Sequence, residues 1–154
     1  MHFYSNSKEY REFSNFAPYP IVIDDVRWPT TEHYFQAMKF APAPEIEFKG
    51  DPQYVESIRQ TPSPASVKMM GRTRSVRIRP DWNTIRDMVM TKALRAKFTQ
   101  NSTLTKMLLE TGQRELAEHT ARDRYWGDGG GQGKGQNKMG QLLMQLRKEL
   151  SMSK

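Results

Sequence analysis

The chain contains no cysteine. Disulfide cross-links, thiolate nucleophiles and cysteine-held metal are therefore excluded. It also lacks any run approaching the roughly 18 apolar residues of a membrane-spanning helix. The opening segment MHFYSNSKEY has no basic stretch followed by an apolar one, so it does not read as a secretory signal. Together these absences give the expectation of a cytoplasmic protein with no membrane partner. Histidine is scarce: His2, His33 and His119 are scattered and form no H-E-x-x-H. The sequence therefore assigns no metal site. No serine stands in G-x-S-x-G. The stretch GDGGGQGKG over residues 127–135 invites a phosphate-loop reading but fails it: Asp128 stands where the first Walker glycine belongs, and Gly135 follows Lys134. The dinucleotide fingerprint fails too, because Gly133-x-Gly135 leads to Lys138 with no long strand before it. What remains is acid–base chemistry by carboxylates.

The chain has 154 residues, 36% of them hydrophobic and 10% aromatic. That is enough for one core, and one domain over residues 1–150 is expected. The formal net charge of +7 favours a phosphorylated or polyanionic ligand without choosing between a nucleotide and a nucleic acid. The densest basic patch is GRTRSVRIRP, with Arg72, Arg74, Arg77 and Arg79. It reads either as a solvated edge or as a strip facing phosphate, for which the forked guanidinium donors are suited.

Short strands and turns are expected in HFYS, EFSNF and PIVIDDVRWP, with a tight turn at Asp24-Asp25. A helix is expected from Thr31 to Phe40, capped by Thr30 and stopped by APAPE. Two short helical pieces follow, starting at Gly50 or Asp51 and at Ser63-Pro64. The longest helix signal is RPDWNTIRDMVMTKALRAKF, capped by Asp81, with Ile85, Met88, Val89, Lys92, Ala93 and Ala96 as its stripe. NSTLTKMLLETG reads as a helix capped by Asn101 or Ser102 and ended at Gly112. ELAEHT is a short strand candidate. The last helix runs from about Asn137 to Leu150, with Leu142, Leu143, Leu146 and Leu150 on one face. The expected class is α+β: a mostly helical single domain with a few short strands.

Three clusters hold candidate chemistry. Glu32, Gln36 and Lys39 fall at i, i+4 and i+7, on one helix face. The stripe is either plain amphipathicity or the wall of a pocket, where the positive helix end would keep Glu32 ionised and basic. In DRYWGDGG, Trp126 is either a core anchor or a surface on which a flat ring stacks. Asp128 either caps the next turn or contacts ligand. The glycines after it, Gly129 first, let backbone amides approach a ligand closely, and Lys134 and Asn137 would complete a polar rim. Near the start, Asn15 and Phe16 in FSNF offer an amide and a ring, although a turn explains them equally well.

These segments resemble the YbiA-like (NADAR) family of N-glycosidases. The resemblance rests on FSNF (13–16), WPTTEHYFQAMKF (28–40), MGRTRSVRIRPDW (70–82), MTKALRAKF (90–98) and YWGDGGGQGKGQNKMGQLLMQLR (125–147). The pairing of T-E-H-Y-F-Q with Y-W-G-D-G is the specific part; APAPEIEFKGDPQYVESI departs from the family pattern and receives no function. The resemblance implies the YbiA-like fold and cleavage of the ribose–amine C–N bond in early riboflavin intermediates such as 5-amino-6-(5-phosphoribosylamino)uracil. Related members act on ADP-ribose attached to guanine. It also implies that Glu32, Trp126 and Asp128 lie in the pocket, with Lys39 as the candidate for a lysine-based route.

Cleaving an N-glycoside builds positive charge on the ribose and needs a proton at the leaving nitrogen. Glu32 is expected to stabilise that charge and orient water. Asp128 would bind ribose hydroxyls or assist the amine, and Trp126 would cover the pyrimidine. Gln36 and Asn15, with Phe16 beside it, would contact base or sugar. Arg72, Arg74 and Lys134 would hold the 5′-phosphate. The hydrolysis calls for no metal or redox cofactor. The expected partner is a small phosphoribosylamine. Removal of ADP-ribose from guanine in DNA or nucleotides is the first alternative, and a non-enzymatic nucleotide-binding module is the second.

Overall fold

The structure is a computed structural model and describes residues 1–3, 8–130 and 133–153. Part of the expected HFYS strand, and Gly131 and Gln132 of the glycine-rich loop, lie outside the described residues. Among the described residues four short strands, β1 (His2–Phe3), β2 (Ile21–Ile23), β3 (Val26–Trp28) and β4 (Ala117–Glu118), accompany six helices. The helices are α1 (Thr31–Ala37), α2 (Pro52–Gln60), α3 (Pro64–Met70), α4 (Trp82–Gln100), α5 (Ser102–Glu110) and α6 (Lys138–Met152). The α+β, mostly helical class follows. The chain forms two compact units, residues 18–96 and residues 1–17 with 97–154.

In the unit of residues 18–96, β2 and β3 pair antiparallel, Ile21 opposite Trp28 and Ile23 opposite Val26. The turn between them needs positive φ at both central residues, and Asp24 (52°) and Asp25 (64°) supply it. Thr30 accepts the His33 amide and caps α1. Asp51 and Ser63 cap α2 and α3 through the amides of Tyr54 and Ser66, each with a proline opening the helix. Helix α1 packs on α2 and α3. Ile21, Trp28, Tyr34, Phe40, Ile58, Val67 and Ala93 form the buried cluster. His33 is fully buried and links α1 to the end of α2. Its Nδ1 meets the Thr30 hydroxyl at 2.8 Å and its Nε2 meets the Thr61 carbonyl at 2.6 Å. A carbonyl only accepts, so Nε2 carries the proton. Burial holds the His33 pKa below its ordinary value, opposed by the bond to Thr61.

In the other unit β1 and β4 pair in parallel, His2 beside Ala117 and Phe3 beside Glu118. Helix α6 packs on α5 and β4, burying Met139, Leu143 and Leu146 with Leu104, Leu108 and Leu116. Phe13 sits edge-on to both Phe3 and Phe98.

Of the strand and turn readings of EFSNF the structure takes the turn: residues 11–13 form a 3-10 turn, because the amides of Phe13 and Ser14 bond back to the carbonyls of Tyr10 and Arg11. Three local expectations are corrected. Helix α1 stops at Ala37 rather than Phe40, since the amides of Lys39 and Phe40 bond three residues back and tighten the chain into turns. Asp81 opens α4 through its carbonyl, while its carboxylate is taken by Arg79 at 2.6 and 2.9 Å. On α4 the buried face runs through Met90, Ala93, Leu94, Lys97 and Phe98, and Met88 is 66% exposed. A lysine in the middle of an apolar stripe conceals it from a hydropathy reading.

Candidate active site

Glu32 and Gln36 lie on α1, and both are buried although polar, at 6% and 5% exposure. Gln36 Nε2 donates to Glu32 Oε1 at 3.0 Å. Gln36 Oε1 is buried with no hydrogen-bond partner among the described residues. Lys39 lies just past the helix end. Its Nζ donates to the Gly71 carbonyl at 3.1 Å and stands 5.9 Å from the centre of the Trp82 ring. Burial holds the Lys39 pKa below the ordinary lysine value. Glu32 opposes this, and Arg72 and Arg86 add to it. The i, i+4, i+7 reading thus becomes a buried carboxylate and amide in contact, with an amine whose pKa burial lowers and the same carboxylate raises. Such a set is suited to stabilising a cationic sugar and moving a proton at its leaving nitrogen.

The arginine strip divides. Arg79 is tied to Asp81 and, at 3.4 Å, to Glu45, which makes it a structural ion pair. Arg72, Arg74 and Arg77 are exposed, and Arg72 acts electrostatically on Lys39.

The second cluster belongs to the unit of residues 1–17 and 97–154. Asp123 Oδ1 accepts the backbone amides of Tyr125 and Trp126 at 2.9 and 2.8 Å, folding the chain into a side-chain-held turn. The half-buried Trp126 ring meets Tyr125 edge-on at 4.9 Å. The amides of Gln136, Asn137, Lys138 and Met139 then bond to the carbonyls of Arg124, Gly127, Tyr125 and Trp126. This doubling brings Gly135 against residues 127–129: a Cβ at Gly135 would stand 2.5 Å from the Gly127 carbonyl oxygen. Gly129 turns the loop at a φ of 68°. Asp128 is buried. Its Oδ1 accepts the amides of Thr120 and Gly130, and its Oδ2 meets His119 Nδ1 at 2.9 Å. Burial raises its carboxyl, but the bonds from His119, Gly130 and Thr120 outweigh burial and the net direction is down. Asp128 therefore caps its turn as an anion and borders a cavity of about 280 Å³, also lined by His2, Glu115 and Gly135.

Asn137 uses both ends of its amide on the chain, accepting the Glu118 amide and donating to the Leu116 carbonyl. Asn15 is buried with its amide 4.0 Å from Met139 sulfur, and Phe16 is half-buried beside it. Lys134 is exposed.

Several participants were not singled out by sequence. Arg86 and Trp82 reach Lys39 from α4, Gly71 borders Gln36, and Asp123 builds the Trp126 turn. The Asx-turn pattern D-x-Y-W was the one local signal available, for Asp123. His2, His119 and Asp128 bring ligating atoms within 4.8 Å of one another. That cluster escapes a motif search because its members come from three segments. Its carboxylate already accepts three N–H groups in the chain.

The sequence profile described as the NADAR domain matches residues 2–151. The chain is 49% identical to N-glycosidase YbiA of Escherichia coli (strain K12), over all of this chain and 90% of that protein. It is 37% identical to the riboflavin biosynthesis protein VVA0006 of Vibrio vulnificus, over 97% of this chain and 38% of that protein. The NMR structure of E. coli YbiA superposes with a TM-score of 0.85 at 48% identity, covering 99% of this chain and 85% of that one.

Proposed function

Because the chain belongs to the NADAR family, whose YbiA relatives are named N-glycosidases, we propose that it is an N-glycosidase cleaving the ribose–amine C–N bond of early riboflavin intermediates. The observation that carries the reading is the buried Glu32–Gln36 contact with the pKa-depressed Lys39 coupled to Glu32. The name of the Vibrio vulnificus relative supports the substrate class.

In the proposed reaction the anomeric C–N bond breaks, a water oxygen bonds to the anomeric carbon, and the water proton passes to the leaving nitrogen. Glu32 stabilises the positive sugar and takes the proton from water. Arg72 and Arg74 meet the 5′-phosphate. In the unit of residues 1–17 and 97–154, Trp126 is the ring and Asp128 the carboxylate offered to a ligand, with Asn15, Phe16, Gly129, Lys134 and Asn137 as their polar surroundings. Lys39 offers a second route: its neutral amine adds to the opened sugar, expels the substrate amine as an imine forms, and water then releases the sugar. Burial of Lys39, which keeps more of the amine neutral, is the observation that favours including this route.

The deciding experiment offers freshly made ribosylaminouracil 5′-phosphate and ADP-ribosylated guanine in single-stranded DNA to the protein and to Glu32→Ala. Release of ribose 5-phosphate from the first, lost in the variant, is the expected result. Release of ADP-ribose from the second alone moves the protein to modification reversal, and no cleavage of either sinks the enzymatic reading. Borohydride under turnover separates the two routes: a sugar adduct on Lys39 marks the imine.

A further inference from the structure

We propose that Gly71 is a positioning residue for this site: its missing side chain makes room for the Gln36 amide and its carbonyl anchors Lys39, so that Gln36 Oε1 is held out as an acceptor for an N–H or O–H donor of the substrate. The inference rests on the N-glycosidase reading and adds a specificity element to it. Gly71 closes α3 with φ −67° and ψ −15°, an ordinary helical conformation. Nothing in its backbone asks for glycine. What excludes a Cβ is Gln36, whose Oε1, Cδ and Cγ would stand 1.8, 2.5 and 3.2 Å away. The Gly71 carbonyl meanwhile receives the Lys39 ammonium at 3.1 Å. One residue thus sets both polar groups that follow Glu32 along the stripe.

The orientation of the amide is set by its bond to Glu32. The NH₂ end of Gln36 donates to Glu32 Oε1, so the amide oxygen points away from that carboxyl. That oxygen is buried and has no partner among the described residues. Buried carbonyls without a donor are rare because each forfeits its solvation. A substrate donor at this point completes the amide and rewards only ligands that carry one.

The test is a double-mutant cycle on Gly71→Ala and Gln36→Ala, read by kcat/KM on whichever substrate the wild type turns over and by melting temperature. Each single variant should lose about tenfold or more in kcat/KM, the size of one buried hydrogen bond. The double variant should be no worse than the poorer single, because the alanine methyl then has no Gln36 side chain to displace. Melting should show the same coupling: any destabilisation in Gly71→Ala is relieved in the double variant. Near-normal activity in Gly71→Ala, or losses that multiply, overturn the proposal, as does a melting loss that persists without Gln36. A wild type that cleaves neither substrate defeats the enzymatic reading instead and takes the substrate half of this inference with it. The melting cycle still decides the Gly71–Gln36 packing in that case.

Discussion

Lys97 is 1% exposed, donates to the Ser14 carbonyl at 2.8 Å and lies 5.6 Å from the Phe98 ring centre. Burial pulls its pKa down to about 7, with Glu12 opposing. The unfolded chain therefore holds a proton on Lys97 that the folded chain sheds between pH of about 7 and the ordinary lysine value. Stability should rise with pH across that window. Urea midpoints taken across that window should show the increase, and Lys97→Met should flatten it. His33 also has a depressed pKa, placed lower on the scale. Its neutral form is required to accept from Thr30, so its contribution is present above the unfolded value near 6.5 and is lost as pH falls through the folded one. Replacing it by alanine should cost about 1–3 kcal/mol through the buried groups left unpaired, measured by denaturant unfolding at neutral pH. Neither role was visible in sequence: a lysine in an apolar stripe reads as an edge residue, and a lone histidine has no signature of its partners.

The elements were most legible where local chemistry decides them. Thr30, Asp51 and Ser63 cap because a short oxygen-bearing side chain just before a helix has few other uses. Asp51→Ala should cost about 1 kcal/mol and shift the thermal midpoint accordingly. The Asp24-Asp25 hairpin was equally readable, and it holds two non-glycine residues at positive φ. Asp25→Gly should relieve that strain, raising stability by a few tenths of a kcal/mol or more, detectable by calorimetry. Where tertiary contacts decide, the sequence misled. Asp81 looks like a side-chain cap, but its carboxylate serves an ion pair with Arg79.

At the scale of the whole chain, the α+β class and family membership were legible because the diagnostic segments run from residue 13 to residue 147. The candidate site was legible in part. The helical spacing of Glu32 and Gln36 predicts a shared face, and the two side chains do meet. The residues around Lys39 come from α3 and α4, separated from it by more sequence than any periodicity spans. The charge of +7 gives a test that distinguishes ligand sizes. For a monophosphate substrate, which has no condensed counterion atmosphere to release, doubling the salt should weaken binding only slightly. A single strand held through four phosphates would weaken by about sevenfold. Titrations at two salt concentrations separate them.

The side chain of Asn137 behaves as a detached peptide group, laid against β4 with an acceptor for Glu118 and a donor for Leu116. An aspartate there would replace that donor with an oxygen facing the Leu116 carbonyl. The glycine-rich loop is therefore fastened to the strand by one amide that works only with both of its ends intact. Asn137→Asp should loosen β4, read as faster hydrogen exchange at the Ala117 and Glu118 amides.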